Sequence, residues 1–375
     1  MAVDRSLGQS APDAGLSVSD FLESLSDLSA APEFRLPASR SGAGAVEVRA
    51  RTLSRKPFCT LKHFESPAAR DTPSVLVVAP LSGQYAVLLR DVVAGLLPDH
   101  SVCLTDWRNA REVALGKGEF GLEDNIAYVL DFFSRLGPEV HVLAVCQSAV
   151  PALAATALLA AADDPRQPRS LILMGGLIDT RINPTRIDRI AQTSGFRRLE
   201  RAAITRVPPG FAGVGRRIYP AAVQRAGLLA YVARHIEIRP EGILRLRMRG
   251  DPTLADPEFL KRLLNLMDLP AELYLQNIKA VLQDHALPRG ALTWRGRKVE
   301  PGAISRTALM TVEGEHDDIS GSGQTRAAQD LCGAIPSQKR RHVLQAGIGH
   351  FGMYAGRSWF ECVLPQVRDF IRGQS

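Results

Sequence analysis

The chain has 375 residues, and its 45% hydrophobic and 23% charged residues are ordinary for a globular protein of one large or two to three smaller domains. The net charge is +7, but no zinc-finger, RNA-recognition or phosphate-loop motif accompanies it, so no nucleic-acid partner is predicted. The longest apolar run has 14 residues, whereas a transmembrane helix needs about 20, so no membrane span is expected. No apolar core of a secretory signal follows Met1, so a cytoplasmic protein is expected.

Residues 1–45 are predicted to form a flexible N-terminal tail that contains one short amphipathic helix. The segment is rich in Ser, Ala and Pro and ends in the linker-like run PASRSGAGA. Ser17 and Asp20 fit a capping box, and apolar residues from Phe21 to Leu28 follow at helical spacing. This helix is expected to dock on the adjoining domain, and binding to a partner or a surface is the alternative.

From Val46 onward, short apolar runs alternate with helical patterns. Apolar runs of four to seven residues, closed by turn signals, are typical of parallel strands that are buried on both faces. Such runs occur at Val75–Ala79, Val102–Trp107, Val140–Cys146, Leu171–Met174, Ala308–Val312 and His342–Gln345. Helices are predicted between the first four, at Tyr85–Leu97, Glu123–Leu136 and Ala149–Ala162. The alternation predicts a doubly wound, mostly parallel α/β sheet.

The alternation stops at Met174 and resumes near Thr307, which divides the chain. Residues 46–176 and 303–375 are predicted to form the core, and residues 177–302 are predicted to be a helical cap inserted over the carboxyl edge of the sheet. Helical patterns at Phe259–Leu266 and Ala271–Gln283 support this division. The insertion carries 22 Lys and Arg against 12 Asp and Glu, so the rest of the chain has a net charge of −3. The excess is either a solvated face or a surface that attracts anions.

The third apolar run ends in AVCQS and leads into an Ala-rich helix, as in a nucleophile elbow. The residues two before and two after the nucleophile must be small, because strand and helix approach closely there. Around Cys146 these residues are Ala144 and Ser148, whereas an elbow centred on Ser148 would have the β-branched Val150 in one small position. Cys146 is therefore the better candidate. The remaining cysteines are predicted to be structural: Cys59, Cys103, Cys332 and Cys362. The five cysteines are at least 30 residues apart, which excludes a CxxC metal site and disfavours a disulfide framework.

The chain order nucleophile, acid, histidine predicts where the partners of Cys146 lie. In such sheets the acid follows the next-to-last strand and the histidine follows the last. The sequence EGEHDDISG offers Asp317 and Asp318 after the next-to-last strand, and AGIGHFG places His350 on a Gly-rich loop after the last. A triad of Cys146, His350 and one of these two aspartates is predicted.

A nucleophile of this kind also needs an oxyanion hole made of two backbone N–H groups. One is expected from Gln147, directly after the nucleophile. The other is expected from Leu81 or Ser82 in the loop APLSG, where Gly83 lets the backbone turn back toward the site.

These motifs together resemble those of the intracellular polyhydroxyalkanoate (poly-3-hydroxybutyrate) depolymerases, which are α/β-hydrolases with a cysteine nucleophile. The similarity runs from about Val46 to the C-terminus through APLSG…LLRD, SVCLTDWRNAR, HVLAVCQ, LILMGGLIDTRINPT, MDLPAELYL, HALPRGALTWRG, LMTVEGEHDDISGSGQT and GIGHFGMYAGRSWF. The resemblance places the nucleophile on Cys146, the acid on Asp317 and the base on His350. Two positions depart from it, since the family usually has Pro at position 148 and His at position 84, where this chain has Ser148 and Gln84.

The resemblance implies an α/β-hydrolase with a helical cap that hydrolyses poly-3-hydroxyalkanoate esters at intracellular granules, without a metal or an organic cofactor. One alternative is an acyltransferase or synthase-like enzyme that moves 3-hydroxyacyl groups to or from coenzyme A, because a thiol can intercept a thioester on Cys146. A non-catalytic granule-associated protein is a third hypothesis, which the presence of Cys146, Asp317 and His350 together disfavours.

Overall fold

The structure of the protein is a computed structural model that describes residues 15–25, 28, 32, 34, 36, 39–41, 44–46, 48–65, 72–238 and 245–374. The rest of the predicted N-terminal tail, including part of the run PASRSGAGA, lies outside the described residues, as do residues 239–244 of the predicted cap.

The described segments form strands and helices in the following order. The strands are β1 Gly15–Ser17, β2 Ser39–Ser41, β3 Gly44–Val46, β4 Arg49–Arg55, β5 Cys59–Glu65, β6 Val75–Val78, β7 Val102–Trp107, β8 His141–Val145, β9 Ser170–Met174, β10 Thr205–Arg206, β11 Arg217–Tyr219, β12 Ile236–Ile238, β13 Arg245–Met248, β14 Leu269–Pro270, β15 Thr293–Trp294, β16 Arg297–Lys298, β17 Ala308–Gly314 and β18 Arg340–Gln345. The α-helices are α1 Val18–Ser24, α2 Arg90–Leu96, α3 Leu122–Leu136, α4 Ala149–Ala161, α5 Arg186–Thr193, α6 Phe196–Ala203, α7 Ala221–His235, α8 Pro257–Leu264, α9 Ala271–Asn277, α10 Ala327–Leu331, α11 Gly356–Ser358 and α12 Leu364–Arg372. Short 3-10 helices include Ala86–Leu89, Cys146–Ser148, Pro252–Ala255 and Phe351–Met353, and π-helical turns are Ile278–Gln283 and Trp359–Val363.

An eight-stranded sheet in the order β18-β17-β9-β8-β6-β7-β5-β4 forms the centre of the molecule. The strands from β18 to β7 run parallel, and β5 and β4 add an antiparallel edge. Every residue of β6, β8, β9 and β17 is buried, because helices cover both faces of a parallel sheet. The six predicted strands are confirmed, as is the doubly wound, mostly parallel sheet.

The two ends of the sheet differ from the prediction. The antiparallel strands β4 and β5 were not predicted, since β5 alternates buried with partly exposed residues and has no continuous apolar run. At the other edge, β18 begins two residues earlier than predicted, at Arg340. Its first three residues are polar and mostly solvent-accessible, because an edge strand has only one neighbour.

The predicted core helices are present, with one difference in geometry. The first is a 3-10 turn, Ala86–Leu89, that continues as α2. Helix α3 starts where the Asp124 carboxylate accepts a hydrogen bond from the Gly121 N–H at 2.9 Å, which is half of a capping box. Helix α4 is buried from Ala149 to Leu159, and its alanines let it pack closely between the sheet and α3.

Between β9 and β17 the chain forms α5 to α9 and several short strands. In this segment the predicted helix at Phe259–Leu266 is α8, and the predicted helix at Ala271–Gln283 is α9 followed by a π-helical turn. The segment before the core docks here, since β1 pairs with β13 and α1 packs on α8. As predicted, α1 begins after Ser17, whose hydroxyl accepts a hydrogen bond from the Asp20 N–H at 3.0 Å. Among the described residues no helix has the length and hydrophobicity to cross a membrane.

Candidate active site

Cys146 lies at the end of the central strand β8, in a turn that enters helix α4. Its φ angle is 56°, a left-handed conformation that costs about 1–2 kcal/mol for a residue other than glycine. The residues predicted to be small for this turn, Ala144 and Ser148, are both buried. Gly176 shows how tight the packing is, because a Cβ there would lie 2.4 Å from the Cβ of Ala149. The backbone therefore has the geometry of a nucleophile elbow.

Ser148, the alternative nucleophile, is fully engaged in the backbone of the turn. Its hydroxyl lies 2.7 Å from the carbonyl oxygen of Val78 and 2.8 Å from that of Val145, and only 3% of the residue is exposed. The hydroxyl thus links the elbow to the neighbouring strand β6. This arrangement gives Ser148 a structural role in the turn.

His350 and Asp317 lie together at the ends of β18 and β17. The Nδ1 atom of His350 is 2.7 Å from Oδ2 of Asp317, and both side chains are buried. The other oxygen of Asp317 accepts hydrogen bonds from the N–H groups of Ile319 at 2.9 Å and Ser320 at 2.8 Å. These backbone bonds hold the carboxylate in one orientation, and Asp317 in turn orients the imidazole.

The imidazole of His350 also interacts with the side chain of Cys146. Burial lowers the pKa of His350, but the charges of Asp317 and Cys146 and their hydrogen bonds outweigh burial and raise the pKa well above its ordinary value. The imidazole is therefore a stronger base than an ordinary histidine, which suits it to take and hold a proton from the thiol.

Asp318, the other predicted acid, points away from His350. Its carboxylate accepts a hydrogen bond from the Tyr231 hydroxyl at 2.7 Å and lies 3.2 Å from Nε2 of His235, both on helix α7. Its side chain is 46% exposed, whereas that of Asp317 is fully buried. The two neighbouring aspartates thus have different partners, one in the histidine loop and one in the insertion.

The loop that contains Leu81 and Ser82 lies beside the elbow and is fixed by the insertion. The carbonyl of Gly83 accepts a hydrogen bond from the Met267 N–H at 2.7 Å. Gly83 has a φ angle of 103°, and a Cβ on it would lie 1.9 Å from Oε1 of Gln224, so glycine is required here. Among the described residues no acceptor is bonded to the N–H of Leu81 or Ser82, which leaves both predicted donors free for an oxyanion.

The other cysteines have surroundings unlike those of Cys146. All five are free thiols, and burial raises the pKa of Cys59, Cys103 and Cys332, to about 12 for the last two. A buried thiol without a basic partner is unreactive, because the thiolate is the nucleophile.

An apolar cavity of about 570 Å³ opens beside the elbow. Its floor comes from the core loops, and its walls come from helices α5, α7 and α9 of the insertion. The residues that line it include Leu81, Ser82, Gln147, Leu177, Ile187, Ile190, Leu199, Tyr219, Leu228, Tyr231, Tyr274, Ile278, Val281 and Ile319. Gln147, Leu81 and Ser82, which carry the predicted oxyanion donors, border the cavity, whereas Cys146, Asp317 and His350 are not among the residues that line it.

Two residues close to His350 were not predicted from the sequence. Gly175 follows β9 with a φ angle of 57°, and a Cβ there would lie 2.9 Å from Cε1 of His350. The pair Gly175–Gly176 directly after a buried strand was a usable signal for this close approach. Asp251 binds the backbone after His350 from the insertion, and no pattern in the sequence marked it.

Comparison with known proteins identifies similarity at two levels. A family model described as PHB de-polymerase C-terminus matches residues 175–375, which is more than half of the chain and includes Asp317 and His350, whereas Cys146 precedes the match. Among curated proteins, none matches the chain.

Solved structures of low sequence identity are similar to this chain, and one of them has a TM-score above 0.5. A serine hydrolase from the polyaromatic-hydrocarbon-degrading bacterium Cycloclasticus zankles has a TM-score of 0.52 at 14% identity, covering 87% of this chain and 99% of its own. A carboxylesterase of the thaumarchaeon Nitrososphaera gargenis has a TM-score of 0.49 at 11% identity, with coverage of 86% and 98%. The naproxen esterase of Bacillus subtilis has a TM-score of 0.48 at 13% identity, with coverage of 94% and 95%. The fold is that of the α/β-hydrolases, as predicted.

Proposed function

Because the chain belongs to the PHB de-polymerase family, we propose that it hydrolyses the ester bonds of poly-3-hydroxyalkanoate through Cys146, His350 and Asp317. The observation that carries the proposal is the position of His350, which is hydrogen-bonded to Asp317 through Nδ1 and interacts with Cys146. A nucleophile and a base in contact, with the base oriented by a third group, is the arrangement that covalent catalysis requires.

The reaction would proceed through a thioester. His350 takes the proton of Cys146, the sulfur attacks the ester carbonyl, and the N–H groups of Gln147 and Leu81 or Ser82 stabilise the oxyanion. The tetrahedral intermediate collapses, and His350 donates its proton to the departing hydroxyl of the polymer. His350 then removes a proton from water, which attacks the thioester and releases a 3-hydroxyalkanoate acid and the free thiol.

The cavity supports a polyester as the substrate. Its walls are mostly aliphatic and aromatic, which suits the alkyl groups of a polyester, and Leu81, Ser82 and Gln147 border it beside the elbow. The proposal also keeps the predicted division of the chain, with a core of residues 46–176 and 303–375, a cap of residues 177–302 and a tail of residues 1–45. In it the core supplies the reacting groups and the cap supplies most of the cavity wall.

The test uses purified protein, amorphous poly-3-hydroxybutyrate granules and chemical identification of the soluble products. Release of free 3-hydroxybutyrate or its oligomers by the wild type, and not by Cys146→Ala, is the expected result. The matched control is Ser148→Ala two residues away, which loses a structural hydroxyl and retains the nucleophile. Parallel reactions contain coenzyme A, and products that are coenzyme A thioesters would replace the hydrolase with the acyltransferase. Granule binding without any product would favour a non-catalytic granule protein.

A further inference from the structure

His350 stands at the start of a short 3-10 helix, Phe351–Met353, and its side chain does not cap that helix. The first N–H groups of a helix have no partner within it, and the residue before the helix normally supplies one. Here the residue before the helix is His350, whose imidazole is hydrogen-bonded to Asp317 and interacts with Cys146. The N–H groups that follow the catalytic histidine therefore need an acceptor from elsewhere in the chain.

Asp251, 100 residues earlier in the sequence, is that acceptor. Its Oδ2 atom accepts hydrogen bonds from the N–H of Phe351 at 2.7 Å and from the N–H of Gly352 at 3.2 Å. Its Oδ1 atom accepts a third bond from the N–H of Thr253 at 3.0 Å. One carboxylate thus joins the insertion to the backbone on the C-terminal side of His350.

The contact is tightly packed on both sides. Only 2% of Asp251 is exposed, and a Cβ on Gly349, the residue before His350, would lie 2.7 Å from the Cβ of Asp251. Burial raises the pKa of Asp251 although three N–H groups bind its carboxylate. A neutral side chain would avoid this desolvation, so the carboxylate is a costly choice for a surface that only has to pack.

We propose that Asp251 is a positioning residue, which holds His350 in its hydrogen bond to Asp317 and in its place beside Cys146 through the backbone of residues 349–352. The inference rests on the proposed role of His350. It assigns to the inserted segment a part in the chemistry in addition to its part in the cavity wall. Asparagine at position 251 has only one acceptor oxygen, whereas the N–H of Thr253 and the N–H groups of Phe351 and Gly352 bind different oxygens of the aspartate. In the variant one of these two sets of donors would face the amide NH₂, and the histidine loop would move.

The experiment compares Asp251→Asn with Asp256→Asn on a soluble p-nitrophenyl ester. Asp256 is the matched control, since it also caps a helix of the insertion, with its carboxylate 2.9 Å from the Glu258 N–H, but does not contact the histidine loop. We expect Asp251→Asn to lower kcat by about 10²-fold with little change in KM, because a displacement of about 1 Å has an effect of that size. Asp256→Asn should have the wild-type kcat.

The pH profile separates positioning from simple loss of folded protein. The raised pKa of His350 depends on its contacts with Asp317 and Cys146, so a displaced histidine has a pKa nearer to its ordinary value of about 6.5. The limb of the kcat/KM profile that His350 sets should therefore move to lower pH in Asp251→Asn. A role confined to stability would lower the amplitude of the profile and leave its midpoints unchanged, and that result would overturn the inference.

Two further arms complete the test. If Asp251→Asn does not fold, Thr253→Val changes a side chain that interacts with the same carboxylate. It should produce a smaller shift of the same sign, and an unshifted profile would refute the proposal. If wild type and Cys146→Ala hydrolyse the soluble ester equally well, the proposed function fails. If the wild type is active through Cys146 and Asp251→Asn has the same rate and profile, only the role of Asp251 fails.

Discussion

The core sheet and the inserted segment contribute to the same site by different means. In the core, each residue of the proposed triad follows its own strand, and two of the three are held by local contacts: Cys146 by a left-handed turn, and Asp317 by two N–H groups within three residues of it. In the insertion, Asp251, Tyr231 and Met267 reach the core loops from distant points of the chain.

This difference corresponds to two separate requirements of the site, which are to bring the triad residues together and to enclose a cavity beside them. Parallel strands bring their carboxyl ends to one edge, so the residues that follow β8, β17 and β18 lie at the same edge of the sheet. Without the insertion, that edge would be open to water and would have no wall to bind an apolar chain. The insertion supplies the wall and fixes the loops at residues 81–84 and 349–352, and the predictions below test how far the two contributions can be separated.

The largest effect is expected in the core, at the nucleophile. Cys146→Ala should lower kcat by about 10⁶-fold, the loss seen when the nucleophile of a comparable triad is removed, and should leave the unfolding temperature nearly unchanged. Wild-type protein should also be alkylated by iodoacetamide at Cys146 faster than at the other four cysteines, as read by mass spectrometry. Wild-type turnover in Cys146→Ala would move the nucleophile elsewhere, with Ser148 as the next residue to test.

The adjacent aspartates provide the sharpest comparison of the two regions. Asp317→Asn should lower kcat by about 10⁴-fold, because the amide no longer holds the reactive tautomer of His350. Asp318→Asn should have a much smaller effect, since that carboxylate contacts helix α7 and not the histidine. Steady-state kinetics on one soluble ester measure both variants, and equal losses would contradict the assignment of the acid.

A smaller effect is expected from the charge of the insertion, which we predict attracts the anionic surface of native granules. Arg189, Arg197 and Arg198 are exposed on helices α5 and α6 and form no ion pair within the described residues, whereas Arg181 is paired with Asp179. Granule binding should weaken several-fold as salt rises from 0.1 to 1 M, since the Debye length falls from about 10 to about 3 Å. Hydrolysis of a soluble ester should barely change.

Reversal of these three arginines to glutamate should weaken granule sedimentation at low salt. The matched control reverses three arginines of the core that are also exposed and form no ion pair within the described residues, Arg55, Arg326 and Arg341, with the same change in net charge. If both triple variants bind equally, or if binding is independent of salt, the basic face is only solvated and docking depends on apolar contacts.

The smallest effect concerns the ion pair between the insertion and the acid loop. The hydrogen bond that His235 donates to Asp318 raises the pKa of His235. The stabilisation from this pair is therefore complete below about pH 6.5 and is lost as the pH rises through the raised value. Burial raises the pKa of Asp318, but the hydrogen bonds that His235 and Tyr231 donate to it outweigh burial and lower the pKa. The contribution of Asp318 to stability is therefore present above about pH 4 and is lost on further acidification.

The stability difference between wild type and Asp318→Asn should therefore be largest between about pH 4 and 6.5, and below about 1 kcal/mol because Asp318 is half exposed. Thermal unfolding over this range measures it, with His235→Gln and the double variant to isolate the pair. A difference that persists unchanged above pH 8 would show that the tyrosine contact, and not the ion pair, joins the two regions.

The sequence by itself determined the buried strands of the central sheet and the edge at which the candidate site residues lie. Continuous apolar runs identify strands that are buried on both faces, and the order of Cys146, the two aspartates and His350 along those strands places them at one edge of the sheet. The same reasoning missed β5, whose alternating residues are typical of a strand with one half-exposed face. It also began β18 too late, because the polar residues of an edge strand interrupt the apolar run.

Only the tertiary structure decided which aspartate meets His350, how Gly175 and Gly83 make room for their neighbours, and which distant residue holds the histidine loop. Asp317 and Asp318 are adjacent and chemically identical, so their sequence context separates them only by family resemblance, whereas their hydrogen bonds separate them by geometry. Asp251 and Phe351 are 100 residues apart and belong to no common periodicity. Periodicity records which face of an element is buried, but a contact between two loops depends on where the whole fold brings them, and that information is not local in the chain.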